Sequence, residues 1–159
     1  MLRSILIGVV AGSRSMTPLA AVSSAACEGK LPAGNGAPAM LGHPLVVAGT
    51  KALAAGEMLG DKMDSAPDRT VPAGTTARII TGAIAAAALA PREQRVLAAM
   101  LGSASAVASA YVTLALRKRA MRHLGQKPTG MIEDAMVLAA LAWAVPGARD
   151  AAKSGWHTR

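Results

Sequence analysis

Ionised side chains set inside apolar, helix-length segments constrain this chain more than any other feature. From Leu45 the sequence reads LVVAGTKALAAGEMLGDK, carrying Thr50, Lys51, Glu57, Asp61 and Lys62. After a polar connector, ARIITG brings Arg78 and Gly82. Charges in such segments are costly unless they face a packed interior, a partner charge or water. The expected molecule is an all-α, small polytopic transmembrane helical bundle with a polar interior.

Composition supports that expectation. Hydrophobic residues make up 52% of the 159 and charged residues only 16%, below the charged share of a soluble domain. The apolar content is mostly Ala, with no Phe and 2% aromatics. A soluble core draws on larger side chains for volume, whereas Ala and Gly let helix backbones approach closely in a bilayer. The net charge of +8 sits in short stretches between apolar segments, as the positive-inside rule requires of a membrane protein. Stacking aromatics and a solvated basic domain are lacking, which argues against nucleic acid as a partner. The single Cys27 excludes an internal disulfide. One helical membrane domain over residues 1–150 and a mobile polar tail over 151–159 are expected.

Leu2 to Ala26 is the first apolar stretch. It competes with a signal peptide, but Arg14 interrupts it and more membrane-like sequence follows, which favours a retained segment. Gly8 and Gly12 form a small-residue packing face. Pro18 has no N–H, so the Arg14 carbonyl would lose its helical partner and a helix break is expected there. Glu28 to Pro44 reads as a loop rich in Pro and Gly, with His43 at its boundary.

Leu45 to Lys62 divides into three lines on a helical wheel. Thr50, Glu57 and Asp61 fall within about 40° of one another, Lys51 and Lys62 share a second line, and Gly49, Gly56 and Gly60 a third. The segment either spans with its charges inward or lies at the interface with its charges in water. Met63 to Thr76 is a polar connector. Ala77 to Ala90 is a short third segment ended by Pro91, and must begin near Thr75 or thin the bilayer.

Val96 to Leu116 is the clearest span, with Gly102, Ser103, Ser105 and Ser109 as a small, hydroxylated stripe whose serines are expected to bond back to their own helix. The basic run Arg117–Lys127 then reads as a cytoplasmic loop. Pro128 and Gly130 open the last segment, where Glu133 and Asp134 either cap a helix N-terminus or join the polar interior. Trp143 reads as an interfacial anchor. About five hydrophobic segments result, some short or broken by Pro and Gly.

The awkward charges are Arg14, Glu57, Asp61, Lys62, Arg78, Glu133 and Asp134. Each would cost on the order of 3 kcal/mol near mid-membrane if left bare. Pairing resolves this, with Arg14 and Arg78 expected against Glu57 and Asp61, and Glu133 nearby. Gly12, Pro18, Gly56, Gly60 and Gly82 are the expected points of helix break or close packing. GSRSMTPLA, GEMLGDK, RIITG and the late Glu133–Asp134 pair together resemble the bacterial membrane family catalogued as domain of unknown function forty-one twenty-six. That resemblance implies a small polytopic helical membrane protein of the bacterial inner membrane, and implies no reaction.

Three functions compete. A transporter or channel-like protein would bind a cation or proton at Glu57 or Asp61 and an anion at Arg14 or Arg78. A membrane enzyme on a lipid phosphate would hold a divalent metal at Asp61 and Asp64, with Glu57 and Asp68 near, and phosphate at Arg69 and Arg78; Pro67 breaks that helical spacing. A structural or accessory protein would use the charges only to lock helices together. No cofactor is called for. The bilayer, a small ion or solute, and a second copy of the chain are the expected partners.

Overall fold

The computed structural model describes residues 1–60 and 72–146, and among them the chain is helical without a strand. Its helices are α1 (Leu2–Ser13), α2 (Met16–Cys27), α3 (Pro44–Gly60), α4 (Pro72–Ala88), α5 (Arg95–Leu124) and α6 (Gln126–Ala144). α1, α4 and α5 form the centre; α6 packs on α1, and α2 links α4 to the peripheral α3.

Small residues bring the three central helices together. A Cβ on Gly8 would collide with the Gly102 carbonyl, and one on Gly12 with Ser109 and the Ala106 carbonyl. On Gly82 it would sit 3.0 Å from the Gly102 carbonyl oxygen. Serines tie the same interfaces. Ser109 Oγ donates to the Val9 carbonyl of α1 at 3.0 Å, and Ser103 Oγ to the Ile79 carbonyl of α4 at 3.1 Å. The hydroxyl stripe therefore bonds across helices as well as back along its own, because glycine-close backbones put foreign carbonyls within reach. The third line of glycines behaves differently. Gly49, Gly56 and Gly60 have nothing within 4 Å of a built Cβ among the described residues, so this face of α3 is unpacked rather than a helix-packing groove.

The core is built mainly from small residues, and many large apolar side chains stay exposed. The buried set is dominated by Ala, with Ile7, Val10, Val22, Leu89 and Leu141 among its larger members. Arg14 is the largest fully buried side chain. Leu2, Leu45, Leu53, Ile80, Leu116 and Met136 are among the exposed large apolar residues, which occur on α1, α3, α4, α5 and α6. One helical stretch among the described residues, Arg92–Leu124, is long and apolar enough to cross a membrane, and only 28% of its most apolar window is buried. α1 and α2 are apolar but shorter.

Four expectations about element limits need correction or refinement. The first apolar stretch is two helices, broken after Ser13 where Arg14 turns extended (φ −137°, ψ 109°). The Pro18 ring would meet the Arg14 carbonyl in a continuous helix, so the break falls where the proline requires it. α4 is helical from Pro72, five residues before Ala77, since a proline in a first turn forfeits no helical bond. The basic run is no loop: α5 continues through Arg117 to Leu124 because Arg, Lys, Ala, Met and Leu favour helix. It stops at Gly125, whose φ of +83° suits a residue without a Cβ. α6 begins at Gln126, so Glu133 and Asp134 lie in its middle and cap nothing.

The Glu28–Pro44 loop holds one 3-10 turn at Ala39–Gly42. It docks on the α4–α5 corner through Gly36 N–H to the Ala90 carbonyl (2.9 Å) and Arg92 N–H to the Gly34 carbonyl (2.8 Å). His43 is a boundary residue, its Nδ1 accepting from Leu45 N–H at 3.3 Å.

Candidate functional site at the broken helix

The gap between α1 and α2 is where the buried charges gather. In an unbroken helix the Ser15 and Met16 N–H groups would donate to the Ala11 and Gly12 carbonyls. The last such bond actually present is Arg14 N–H to the Val10 carbonyl, at 2.8 Å. Beyond it the freed N–H groups and the Gly12 carbonyl are taken by side chains from elsewhere. Glu57 of α3 accepts from the Ser15 N–H (2.7 Å) and hydroxyl (2.9 Å) on one oxygen and from the Met16 N–H (2.9 Å) on the other. Arg78 of α4 donates from Nε to the Gly12 carbonyl at 3.1 Å. A carboxylate thus sits on the positive end of α2 and a guanidinium on the negative end of α1, the signs that the helix dipoles favour.

Arg14 itself turns the other way. Its Nε and one terminal nitrogen both donate to Asp134 Oδ1 of α6, at 3.0 and 2.6 Å, with the arginine fully buried and the aspartate side chain 14% exposed. Next to it on α6, Glu133 Oε2 accepts from Arg117 of α5 at 3.2 Å, both side chains close to nine-tenths buried. Charge-assisted bonds of this kind are short and geometrically specific. Thr17, in the first turn of α2, has a buried hydroxyl oxygen without a hydrogen-bond partner among the described residues, which leaves polar capacity unused at the break.

The expected residues therefore meet in part, with different partners. Arg14, Glu57 and Arg78 converge with Gly12 on the break that Pro18 imposes. Asp134 is the acid on Arg14; Glu57, expected opposite an arginine, instead caps α2. Glu133 is ion-paired through Arg117, a residue read from sequence as a cytoplasmic surface charge. Gly82 packs on α5, whereas Gly56 and Gly60 pack against nothing among the described residues. Asp61, Lys62, Asp64, Asp68 and Arg69 lie outside the described residues, and with them the candidate metal ligands. Among the described residues no three His, Cys, Asp or Glu side chains are placed to hold a metal ion. Ser15 and Arg117 were not legible as site residues, because their partners lie on other helices, 42 and 16 positions away in the chain.

Glu57→Ala leaves the first N–H groups of α2 without their acceptor. Losing a cap costs about 1–2 kcal/mol, so thermal unfolding followed by circular dichroism should show a clear loss of stability. Glu57→Gln, which keeps an acceptor oxygen, should lose roughly half as much. Equal stability of wild type and Glu57→Ala would show that the cap is dispensable.

No curated protein and no solved structure matches the chain. The model of one family, described as a domain of unknown function (DUF4126), matches residues 1–148, and the chain belongs to that family.

Proposed function

We propose that this is a small multi-pass protein of the bacterial inner membrane whose broken first helix forms a gated path for a small ion or polar solute. The observation that carries the reading is the break itself: two half-helix ends inside the protein, each served by an ionised side chain from another helix. Discontinuous helices of this kind present backbone dipoles to charged solutes in transporters. Here Glu57 occupies the place an anion would take at the α2 N-terminus, and Arg78 the place a cation would take at the α1 C-terminus. A charged solute entering the break competes with one of these plugs, and the displaced side chain is free to answer its charge. Thr17 adds an unused hydroxyl beside the same path.

The membrane part of the reading is supported by the exposed apolar residues of α1, α3, α4, α5 and α6 around a small, polar interior. Large apolar side chains exposed on five helices suit contact with lipid better than contact with water. α5, at about 45 Å by 1.5 Å per residue, exceeds the roughly 30 Å hydrocarbon core. Its basic end from Arg117 then projects into the cytoplasmic interface, with the positive residues inside.

A second reading is favoured by the completeness of the pairing: Glu57 and Arg14 are well bonded in this state, as they would be if they served only to lock helices together. One experiment separates the two. The chain should first resist alkaline extraction from membranes, as an integral protein does. Purified protein in liposomes is then assayed with proton- and chloride-sensitive dyes. Flux above empty vesicles, changed about tenfold or more by Glu57→Gln or Arg78→Gln, supports the path; tenfold in rate is about 1.4 kcal/mol on the barrier. Wild type and variants all folded and all inert would leave the charges as locks.

A further inference from the structure

A second feature lies beside the α1 end of the break. Between α1, α5 and α6 there is a cavity of about 380 Å³, within the size range of small-molecule sites. Its walls are apolar, with Val10, Leu116, Ile132 and Met136 among them. Leu116, Ile132 and Met136 are also among the exposed large apolar residues, so the cavity opens onto the protein's apolar outer face. Its polar groups are few: the Arg117–Glu133 pair, Ser13, Thr113 and Thr129. Ser13 is buried, with 7% of the residue exposed, and lines the cavity at its α1 wall. Thr113 and Thr129 hydroxyls donate to their own helix carbonyls at 3.3 and 2.7 Å, which leaves their oxygens able only to accept.

The α5 end beside this opening is basic. Glu133 balances Arg117, and Asp134 is turned to Arg14. The same end of α5 then continues with Lys118, Arg119 and Arg122, all exposed. An apolar slot beside a basic helix end matches a molecule having a hydrocarbon chain and an anionic head. A free polar ion has no use for the apolar walls, and a neutral lipid none for the basic turn. Basic pockets between membrane helices on the cytoplasmic side take acidic lipid heads for the same reason.

We infer that the α1–α5–α6 cavity is a binding site for an anionic phospholipid, one acyl chain inside it and the phosphate at the Arg117 end, near Ser13. This rests on the membrane reading above and not on transport. Ser13 immediately precedes Arg14, so the bound lipid would abut the broken helix and brace its α1 end.

The test uses the full chain in mild detergent, with retained lipid counted by native mass spectrometry. Phosphatidylglycerol and phosphatidylcholine of identical chains are offered in competition, and inorganic phosphate is offered alone. Phosphatidylglycerol should be retained about tenfold over phosphatidylcholine, a difference of about 1.4 kcal/mol. Ala120→Leu, which fills the cavity without touching a charge, should reduce retention of both lipids about tenfold. Arg117→Gln with Glu133→Gln removes both charges of the pair together and should bring the two lipids to parity. Equal retention of the two lipids by wild type would overturn the proposal. So would undiminished retention by Ala120→Leu, or thermal protection by inorganic phosphate equal to that by phosphatidylglycerol at matched concentration. A chain released from membranes by alkali would fail the membrane reading itself, whereas one that needs detergent and keeps no acidic lipid fails only the site.

Discussion

Asp134→Leu is expected to destabilise the protein by about 3–5 kcal/mol, the range for removing one partner of a buried ion pair. The reason is the fully buried Arg14 guanidinium, which directs two of its nitrogens at a single Asp134 oxygen. Whatever else Arg14 touches, a leucine there strips its carboxylate and supplies no acceptor. Arg14→Leu should be nearly as damaging, since it leaves the acid facing the interior. The double variant, Arg14→Leu with Asp134→Leu, removes both charges and should lose much less than the sum of the two single changes. A coupling of more than about 1 kcal/mol in denaturation of the detergent-solubilised protein would establish the pair as a unit. Strict additivity would show that the two residues act independently.

Gly12→Ala is the second large effect. The added Cβ would run into Ser109 and the Ala106 carbonyl, and would lie 2.7 Å from the Ala110 backbone nitrogen. Ser109 can rotate away, but the α5 backbone cannot, so α1 must move outward. Overpacking of this sort costs about 1–3 kcal/mol, occasionally more. Moving α1 also pulls the Gly12 carbonyl from Arg78, which places Gly12→Ala at the upper end of that range. Gly56→Ala provides the contrast, because nothing lies near its Cβ position. Replacing a mid-helix glycine by alanine without a clash gains about 0.5–1 kcal/mol, so Gly56→Ala should raise the melting temperature. Two equal losses would mean that the α3 face has a partner that an isolated chain lacks, and a cross-linking measurement of oligomeric state would then find it.

Those two glycines illustrate how far local signals reach. Gly8 and Gly12 recur at helical spacing, and so do Gly56 and Gly60; the first pair packs on α5 and the second packs on nothing described. Spacing tells that a face is thin, but only a neighbour makes the thinness useful. The break at Arg14 was legible because its cause is covalent: Pro18 lacks a donor and its ring obstructs one particular carbonyl. The helicity of Arg117–Leu124 was missed for the opposite reason. Charge density was taken as a boundary, although helix propensity there is high and no breaker comes before Gly125.

From sequence alone come the helical class, the cost of charges in apolar segments, and the position of the break. These follow from side-chain chemistry and from interactions within a turn or two of helix. Which acid answers which base came from the packing of α1 against α4, α5 and α6. Arg14 and Asp134 stand 120 positions apart, and no periodicity spans such a distance. The carboxylate of Glu57 chose backbone N–H groups over an arginine because the break left donors there that burial would not allow to go unmet.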